Sequence, residues 1–415
     1  MTSAVLELND HTINLYQDGD LISSSPGFAL SLAGQTQFGQ SAAEQSRLHP
    51  VNTHNEFWHR LSMTPLTRPL AHYRHNADIA HAHLLNIAES SDFEGDVVIA
   101  VPGSFSRDQL AILGGVLAKS PFRAAAMMDT GLFYAKSHMA GQQRLVFADL
   151  QLHQFSLTLL SRDQQQIRRE SVAVVQGAGW SNVANALVQV INDAFIQQSR
   201  FNPQHSAFWE QHLYNELPDY LQQIRTGQAD FMVSITTDKA THQARVSVAE
   251  LVESLEPVFR RINQQLQMLL GDTPAPVLIS ERAAAIPGLE NSLQVRQSPL
   301  GGEQLAQACV QASASLSVNG SDMPFISVWR QPEAAAEADL QTAPARVVAT
   351  HMVLDHNAYP IAVSDDNETV TPSASASVLI QARAIAAGRT LFAGDTLSVD
   401  EGVELSLIRV HHGGA

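Results

Sequence analysis

Two segments far apart in the chain share one pattern: a short apolar strand runs through an acidic residue into a polar turn, and a second apolar strand follows. The first segment is AVLELNDHTINLY (Ala4–Tyr16), with the turn LNDHT. The second is RLVFADLQLHQFSLTLL (Arg144–Leu160), with the turn DLQLHQ. Each pattern predicts a strand that enters a turn and leaves it as a second strand.

Strand-like and helix-like segments alternate over residues 1–330, which is typical of an α/β architecture. The run DVVIAVP (Asp96–Pro102) is continuously apolar after its first residue and predicts a strand that is buried on both faces. Apolar residues at helical spacing predict a helix over Arg107–Leu117.

Two further helices are predicted in the second half of this region. Trp180–Phe195 carries an apolar stripe, with Ser181 available as its N-cap. Ser247 begins a capping box, and the helical pattern that follows continues to Leu270 across Pro257.

The pattern changes near the C-terminus. The segment QPEAAAEADLQTAPA (331–345) is poor in large apolar residues and predicts a linker. Short alternating strands separated by turn residues follow it, which predicts a small all-β module over residues 346–415.

The bulk composition excludes some classes of partner. The net charge is −16, and Lys and Arg form no cluster, so we expect no nucleic-acid partner. No segment approaches the roughly 18 consecutive apolar residues that cross a membrane, and no signal-peptide pattern opens the chain. We therefore expect a cytoplasmic protein with no membrane partner.

Four histidines, His72, His75, His81 and His83, lie close together, but no two are four residues apart and no cysteine accompanies them. The helical ligand pair of a metal site is therefore absent, and we predict solvated surface histidines and no metal cluster.

Further short motifs occur in the order found in one superfamily, the actin and DnaK-type chaperone ATPases. The segments that resemble it are FGQSAA, FWHRL, VIAVPGSF, MDTGLFYA, the turn and helix Gly177–Val188, LEPV, and LISERAAAIP. Each motif is weak alone, but their order holds over roughly residues 4–316.

The resemblance implies an actin-like (ribonuclease H-like) fold for residues 1–330, with two lobes and a nucleotide cleft between them. It implies that Glu7, Asp129 and Asp149 surround Mg²⁺-bound waters, with Glu7 and Asp149 at facing strand ends. The alternative, which we favour, is that these acids are strand-end and turn residues without a ligand. Gly177 and Gly179 would keep one backbone approach to a ligand, although a plain strand-to-helix turn also explains them.

Several substitutions weaken the expectation of ATP hydrolysis. Gln151 and Leu152 would project into the space of the phosphates, and Asp10 would repel them. His59 stands where the family carries its catalytic lysine and provides no fixed charge at pH 7. Glu281 and Arg282 replace both glycines of the adenosine loop.

The sequence therefore predicts a non-hydrolysing scaffold, not an enzyme, that needs no cofactor and acts as a protein-binding or regulatory subunit. The alternative is a divergent ATP-dependent chaperone or ATPase that binds ATP or ADP with Mg²⁺ in the cleft.

Overall fold

The computed structural model describes residues 4–139, 142–163, 166–295 and 325–330, and near the C-terminus residues 351–354, 357–360, 382, 396–399 and 403–408. The chain divides into two compact units, Met1–Pro332 and Glu333–Ala415. The first unit is mixed α/β, with several sheets and helices. The predicted linker 331–345 lies outside the described residues.

The strands of the first unit are mostly short. They are β1 (Ala4–Glu7), β2 (Ile13–Gln17), β3 (Asp20–Ser25), β4 (Ala29–Leu32), β5 (Gln35–Phe38), β6 (Thr53–His54), β7 (Pro65–Leu70), β8 (Tyr73–His75), β9 (Gly95–Val101), β10 (Phe122–Asp129), β11 (Arg144–Leu150), β12 (Gln154–Asp163), β13 (Gln166–Gln176), β14 (Asp230–Thr236), β15 (Thr241–Ser247), β16 (Val277–Ile279), β17 (Phe325–Ile326) and β18 (Val328–Arg330). The helices are α1 (Gln40–Ala43), α2 (Asn76–Ser91), α3 (Arg107–Leu117), α4 (Thr130–His138), α5 (Trp180–Ser199), α6 (Ala207–Arg225), α7 (Val248–Ser254), α8 (Glu256–Leu270), α9 (Glu281–Ala284) and α10 (Leu289–Ser292).

Two larger sheets repeat one arrangement of strands. The first has the order β17-β10-β9-β1-β2-β3, and the second has the order β16-β11-β12-β13-β18. In each sheet three consecutive strands form an antiparallel meander, β1 to β3 or β11 to β13. A later strand, β9 or β16, then pairs in parallel with the first strand of the meander. The turn after β1 and the turn after β11 therefore occupy equivalent positions in the two sheets.

Both faces of the central strands are buried. In β1, Leu6 packs in a hydrophobic cluster with α2 and α3, whereas Val5 packs in a cluster with α4. In β11, Phe147 joins the α4 cluster and Ala148 joins the cluster of α5 and α8. Because successive side chains of a strand point to opposite faces, these strands are apolar throughout. Helix α4 contacts buried residues of both sheets.

Two helix boundaries differ from the sequence predictions. Helix α5 is capped by Gly179 and not by Ser181, whose N–H donates to the Leu152 carbonyl at 2.9 Å. The helix predicted to cross Pro257 is broken into α7 and α8. Proline has no N–H to donate and is tolerated in the first turn of a helix, so α8 begins next to it.

The described residues of the second unit form one antiparallel sheet of β19 (His351–Leu354), β20 (Asn357–Pro360), β21 (Thr396–Val399) and β22 (Val403–Ile408). Its strand order is β20-β19-β22-β21. In the described part of the whole chain, no helix combines the length and the apolar character needed to cross a membrane.

The prediction that His83 is a surface residue is wrong. Its side chain is fully buried, on the face of α2 that also carries Ile79 and Ile87. The Trp58 indole N–H donates to His83 Nδ1 at 3.1 Å. Because Nδ1 is an acceptor, Nε2 carries the proton and donates to the Ser25 hydroxyl at 2.7 Å. The helical period that pairs His83 with two isoleucines is the sequence signal for this burial.

Burial of His83 predicts a pH-dependent stability. Desolvation lowers the pKa of His83 from 6.5 to about 3, so below pH 6.5 the unfolded chain binds a proton that the folded chain excludes. Between pH 6.5 and pH 5 we expect the wild type to lose about 2 kcal/mol more unfolding free energy than His83→Gln, whose amide can keep both hydrogen bonds. Urea unfolding at the two pH values checks the difference. Equal losses in the two proteins would contradict it.

Candidate functional site

The turn after β1 and the turn after β11 contact each other. The Asn9 side-chain amide donates to Asp149 Oδ2 and to the Leu150 carbonyl, each at 3.0 Å. In the other direction, Asp10 Oδ1 accepts the backbone N–H of Leu152 at 2.7 Å. A carboxylate of the turn after β1 thus accepts a hydrogen bond from a backbone N–H of the turn after β11. The Asp10 carboxylate therefore occupies the hydrogen-bonding position at this N–H.

Arg282 lies between the two acidic strand ends. Strand β16 pairs in parallel with β11, and α9 begins directly after it, which brings Arg282 to the end of β11 that carries Asp149. Arg282 Nε donates to Asp149 Oδ1 at 2.8 Å, and its Nη2 forms an ion pair with Glu7. Both carboxylates are buried, and the guanidinium side chain is 13% exposed. One cation therefore bridges two acids that belong to different sheets.

The electrostatics of this cluster are dominated by burial. Desolvation raises the pKa of Glu7, and the charge of Asp149 raises it further, while Arg282 and hydrogen bonds from Arg282 and Asn14 oppose the rise. Arg282 stays charged, because the two carboxylates outweigh its own desolvation and raise its pKa. The guanidinium is thus the fixed charge on which the cluster depends.

Asp129 has different partners. It caps α4 by accepting the Gly131 N–H at 2.9 Å, and it forms an ion pair with Arg169, also at 2.9 Å. Burial raises the pKa of Asp129, against the effect of Arg169. The structure brings together Glu7 and Asp149 of the three expected magnesium ligands, and pairs each of the three with an arginine. Within the described ranges, no group of three or more His, Cys, Asp or Glu side chains is arranged to bind a metal ion.

Gly179 lies against the backbone of the turn after β11. A Cβ on this residue would lie 2.3 Å from the Gln154 nitrogen and 2.4 Å from the His153 carbonyl carbon. The N–H of Trp180 then donates to the Gln151 carbonyl at 2.8 Å. Gly177 adopts a φ of +67° and has Arg261 as its neighbour. Both glycines serve the strand-to-helix turn that packs α5 against the turn after β11.

His59 provides no fixed positive charge. It is half-buried, and its ring centroid lies 5.5 Å from that of His153. Burial lowers the pKa of His59, and the nearby His153 and Arg60 lower it further. Its Nδ1 is buried and has no hydrogen-bond partner among the described residues. His59 is therefore a neutral imidazole at pH 7.

Two cavities flank the meeting point of the turns. The larger, about 1220 Å³, is lined by Arg282, Leu152, Trp180 and residues of α6, among others. The smaller, about 250 Å³, lies beside Asp10 and His59.

Side chains also join the two sides of the larger cavity. We call this set the clasp: Arg47, Asn185, Gln211 and Tyr214. The Arg47 backbone N–H donates to Gln211 Oε1 at 2.6 Å, and its guanidinium donates to Asn185 Oδ1 at 2.7 Å. The same guanidinium lies 4.0 Å from the ring centroid of Tyr214. The clasp ties the segment after α1 to α5 and α6.

The contacts of Arg282 were not expected from the sequence. The sequence places Glu281 and Arg282 in the segment LISERAAAIP, but the pairing of Arg282 with Glu7 and Asp149 depends on contacts between distant segments. A scan against protein-family models finds no match to this chain, and a search of curated proteins finds none.

Proposed function

We propose that the chain is a non-hydrolysing, actin/DnaK-like scaffold that acts as a protein-binding or regulatory subunit, with its interlobe cleft held by its own side chains. The observation that carries this proposal is Arg282, whose guanidinium bridges Glu7 and Asp149. In the family that the sequence resembles, acids at these positions surround Mg²⁺-bound waters. A guanidinium at this point supplies the positive charge without a metal.

A second substitution of the same kind supports the proposal. In the family, backbone N–H groups of the second turn bind phosphate oxygens, whereas here the Leu152 N–H binds the Asp10 carboxylate. The cation of a Mg–nucleotide complex is thus replaced by Arg282 and the anion by Asp10. These residues do not fit such a complex, because Arg282 and Asp10 would have to give up buried contacts first.

The strand topology supports the actin-like part of the proposal. Each large sheet combines a three-stranded antiparallel meander with a strand parallel to its first member. Such a duplicated arrangement is expected for an actin-like fold, with the two turns facing each other. The fold alone assigns no activity, so the function rests on the contacts of the turns.

One observation favours the alternative, a divergent nucleotide-dependent chaperone or ATPase. The larger cavity, about 1220 Å³, is wide enough for a nucleotide and has Arg282 in its wall. Binding there would require Arg282 to release at least one carboxylate before Mg²⁺ could be held.

Titration with Mg-ATP separates the two functions. At micromolar concentrations of the full chain we expect no heat of binding and no hydrolysis above background, because both phosphate turns are already paired and the lysine position is a neutral histidine. Trp180 lines the larger cavity, so its indole resonance gives a second readout. A magnesium-dependent dissociation constant in the low micromolar range, with a shift at Trp180, would support the ATPase instead.

The protein-binding part needs its own measurement. We expect a protein that copurifies with the full chain in fixed proportion and remains bound whether or not ATP is added. Release of that protein by Mg-ATP would contradict the scaffold and restore the chaperone hypothesis.

A further inference from the structure

The lining of the smaller cavity combines apolar side chains with side-chain amides. The apolar residues are Leu8, Ile13, Trp58, Pro102, Phe105 and Val174. The amides belong to Asn9, Gln109, Gln151, Gln154 and Gln176. Three of these amides form a chain, in which Gln176 donates to Gln154 at 2.9 Å and Gln154 donates to Gln151 at 2.6 Å. These three glutamines are therefore held in place by their own hydrogen bonds.

Two buried polar atoms at this cavity have no hydrogen-bond partner among the described residues: Asp10 Oδ2 and His59 Nδ1. Asp10 is only 6% exposed, and its other oxygen is already bonded to the Leu152 N–H. An unpaired buried carboxylate oxygen costs free energy, and a ligand with hydrogen-bond donors would remove that cost. The free oxygen of Asp10 is thus an acceptor that a donor could satisfy.

The charged residues of the lining indicate which kind of ligand could donate to Asp10. Asp10 is its only acidic residue, and neither Lys nor Arg lines the cavity. Nearby Arg169 is already paired with Asp129. Burial raises the pKa of Asp10, and a cation beside the carboxyl would oppose that rise, so a cation is favoured and an anion such as a phosphate is disfavoured.

From this geometry we propose that the smaller cavity binds a small primary amine, whose ammonium group donates to Asp10 and whose apolar body packs on the Trp58 wall. The volume of about 250 Å³ suits a compact ring with a short arm, below the size of a nucleotide. This site is separate from the larger cavity and does not depend on the proposed scaffold function.

Three aromatic probes of similar size but different charge test the proposal: benzylammonium, benzyl alcohol and benzoate. Trp58 lies in the wall, so its indole N–H resonance should shift saturably with benzylammonium in the full chain labelled at tryptophan. Assignment comes from Trp58→Phe. We expect weaker binding of benzyl alcohol and no binding of benzoate, while the Trp180 resonance in the larger cavity stays unchanged.

Asp10→Asn is the decisive variant. It keeps an oxygen for the Leu152 N–H but removes the charge, so we expect benzylammonium to bind about tenfold more weakly or worse. Asp18→Asn, an exposed change in the turn between β2 and β3, is the matched control and should bind as the wild type does. Val174→Phe should fill the cavity and abolish the shift of Trp58 while leaving Asp10 in place.

Equal shifts with all three probes would overturn the proposal, because they would show adsorption without selection for charge. Undiminished binding by Asp10→Asn, or a response confined to Trp180, would also overturn it. None of these results depends on whether ATP binds, so this site and the proposed scaffold function fail or succeed separately.

Discussion

Replacement of Arg282 by methionine is expected to destabilise the first unit by about 3–5 kcal/mol at pH 7. The change leaves Glu7 and Asp149 buried without the cation that bridges them. All four tryptophans lie in the first unit, so urea unfolding of the full chain followed by tryptophan fluorescence measures the loss. Arg282→Lys, which keeps the charge but not the two-sided geometry, should lie between methionine and wild type.

The stability lost by Arg282→Met should depend on pH and on the presence of Glu7. Burial already raises the pKa of Glu7, and removal of Arg282 takes away a charge that lowers it. The folded variant then binds a proton that the unfolded chain releases, so its deficit should shrink as the pH falls from 7 towards 5. Glu7→Gln combined with Arg282→Met should be less destabilised than Arg282→Met alone. A loss below about 1 kcal/mol, independent of pH, would mean that the bridge contributes little.

The second large effect is expected for Gly179→Ala. The new Cβ would lie 2.3 Å from the Gln154 nitrogen, and backbone atoms cannot move aside as a flexible side chain can. We expect a loss of about 3 kcal/mol or more, because α5 must separate from the turn after β11. The measurement is again urea unfolding. A changed chemical shift of the Trp180 indole N–H, at the start of α5, would support it.

Gly115→Ala is the matched control for Gly179→Ala. Gly115 lies exposed in α3, and no atom is within 4 Å of its added Cβ. Since alanine favours a helix over glycine, this change should stabilise by about 0.5–1 kcal/mol. If both changes had the same sign and size, the close approach at Gly179 would not be the cause.

The central strands and several helices are predictable from the sequence because local patterns determine them. The run DVVIAVP becomes β9 (Gly95–Val101), and its apolar continuity reflects burial on both faces. The helix over Arg107–Leu117 is confirmed residue for residue as α3, with Ser106 as its cap. The apolar spacing and the capping residue that define this helix lie within a few residues of each other, so the local sequence is enough to predict it.

The contacts of the candidate site are not predictable in this way. Arg282 and Glu7 are 275 residues apart, and their pairing depends on how β16 adds to the second sheet. The hydrogen bonds of His83 are not predictable for a related reason. The helical period indicates that His83 is buried, but its partners Ser25 and Trp58 come from distant segments. Local sequence shows where a charged residue stands but not which distant residues it will contact.

The clasp has a consequence for control in the cell. It joins Arg47 to Asn185 and Gln211 with groups of the chain alone. In a nucleotide-driven switch the bound ligand provides the free-energy difference between open and closed states, and hydrolysis acts as a timer. The scaffold function that we propose includes no such timer. Under that proposal, the output would follow the abundance of the partner and would be insensitive to the cellular ratio of ATP to ADP.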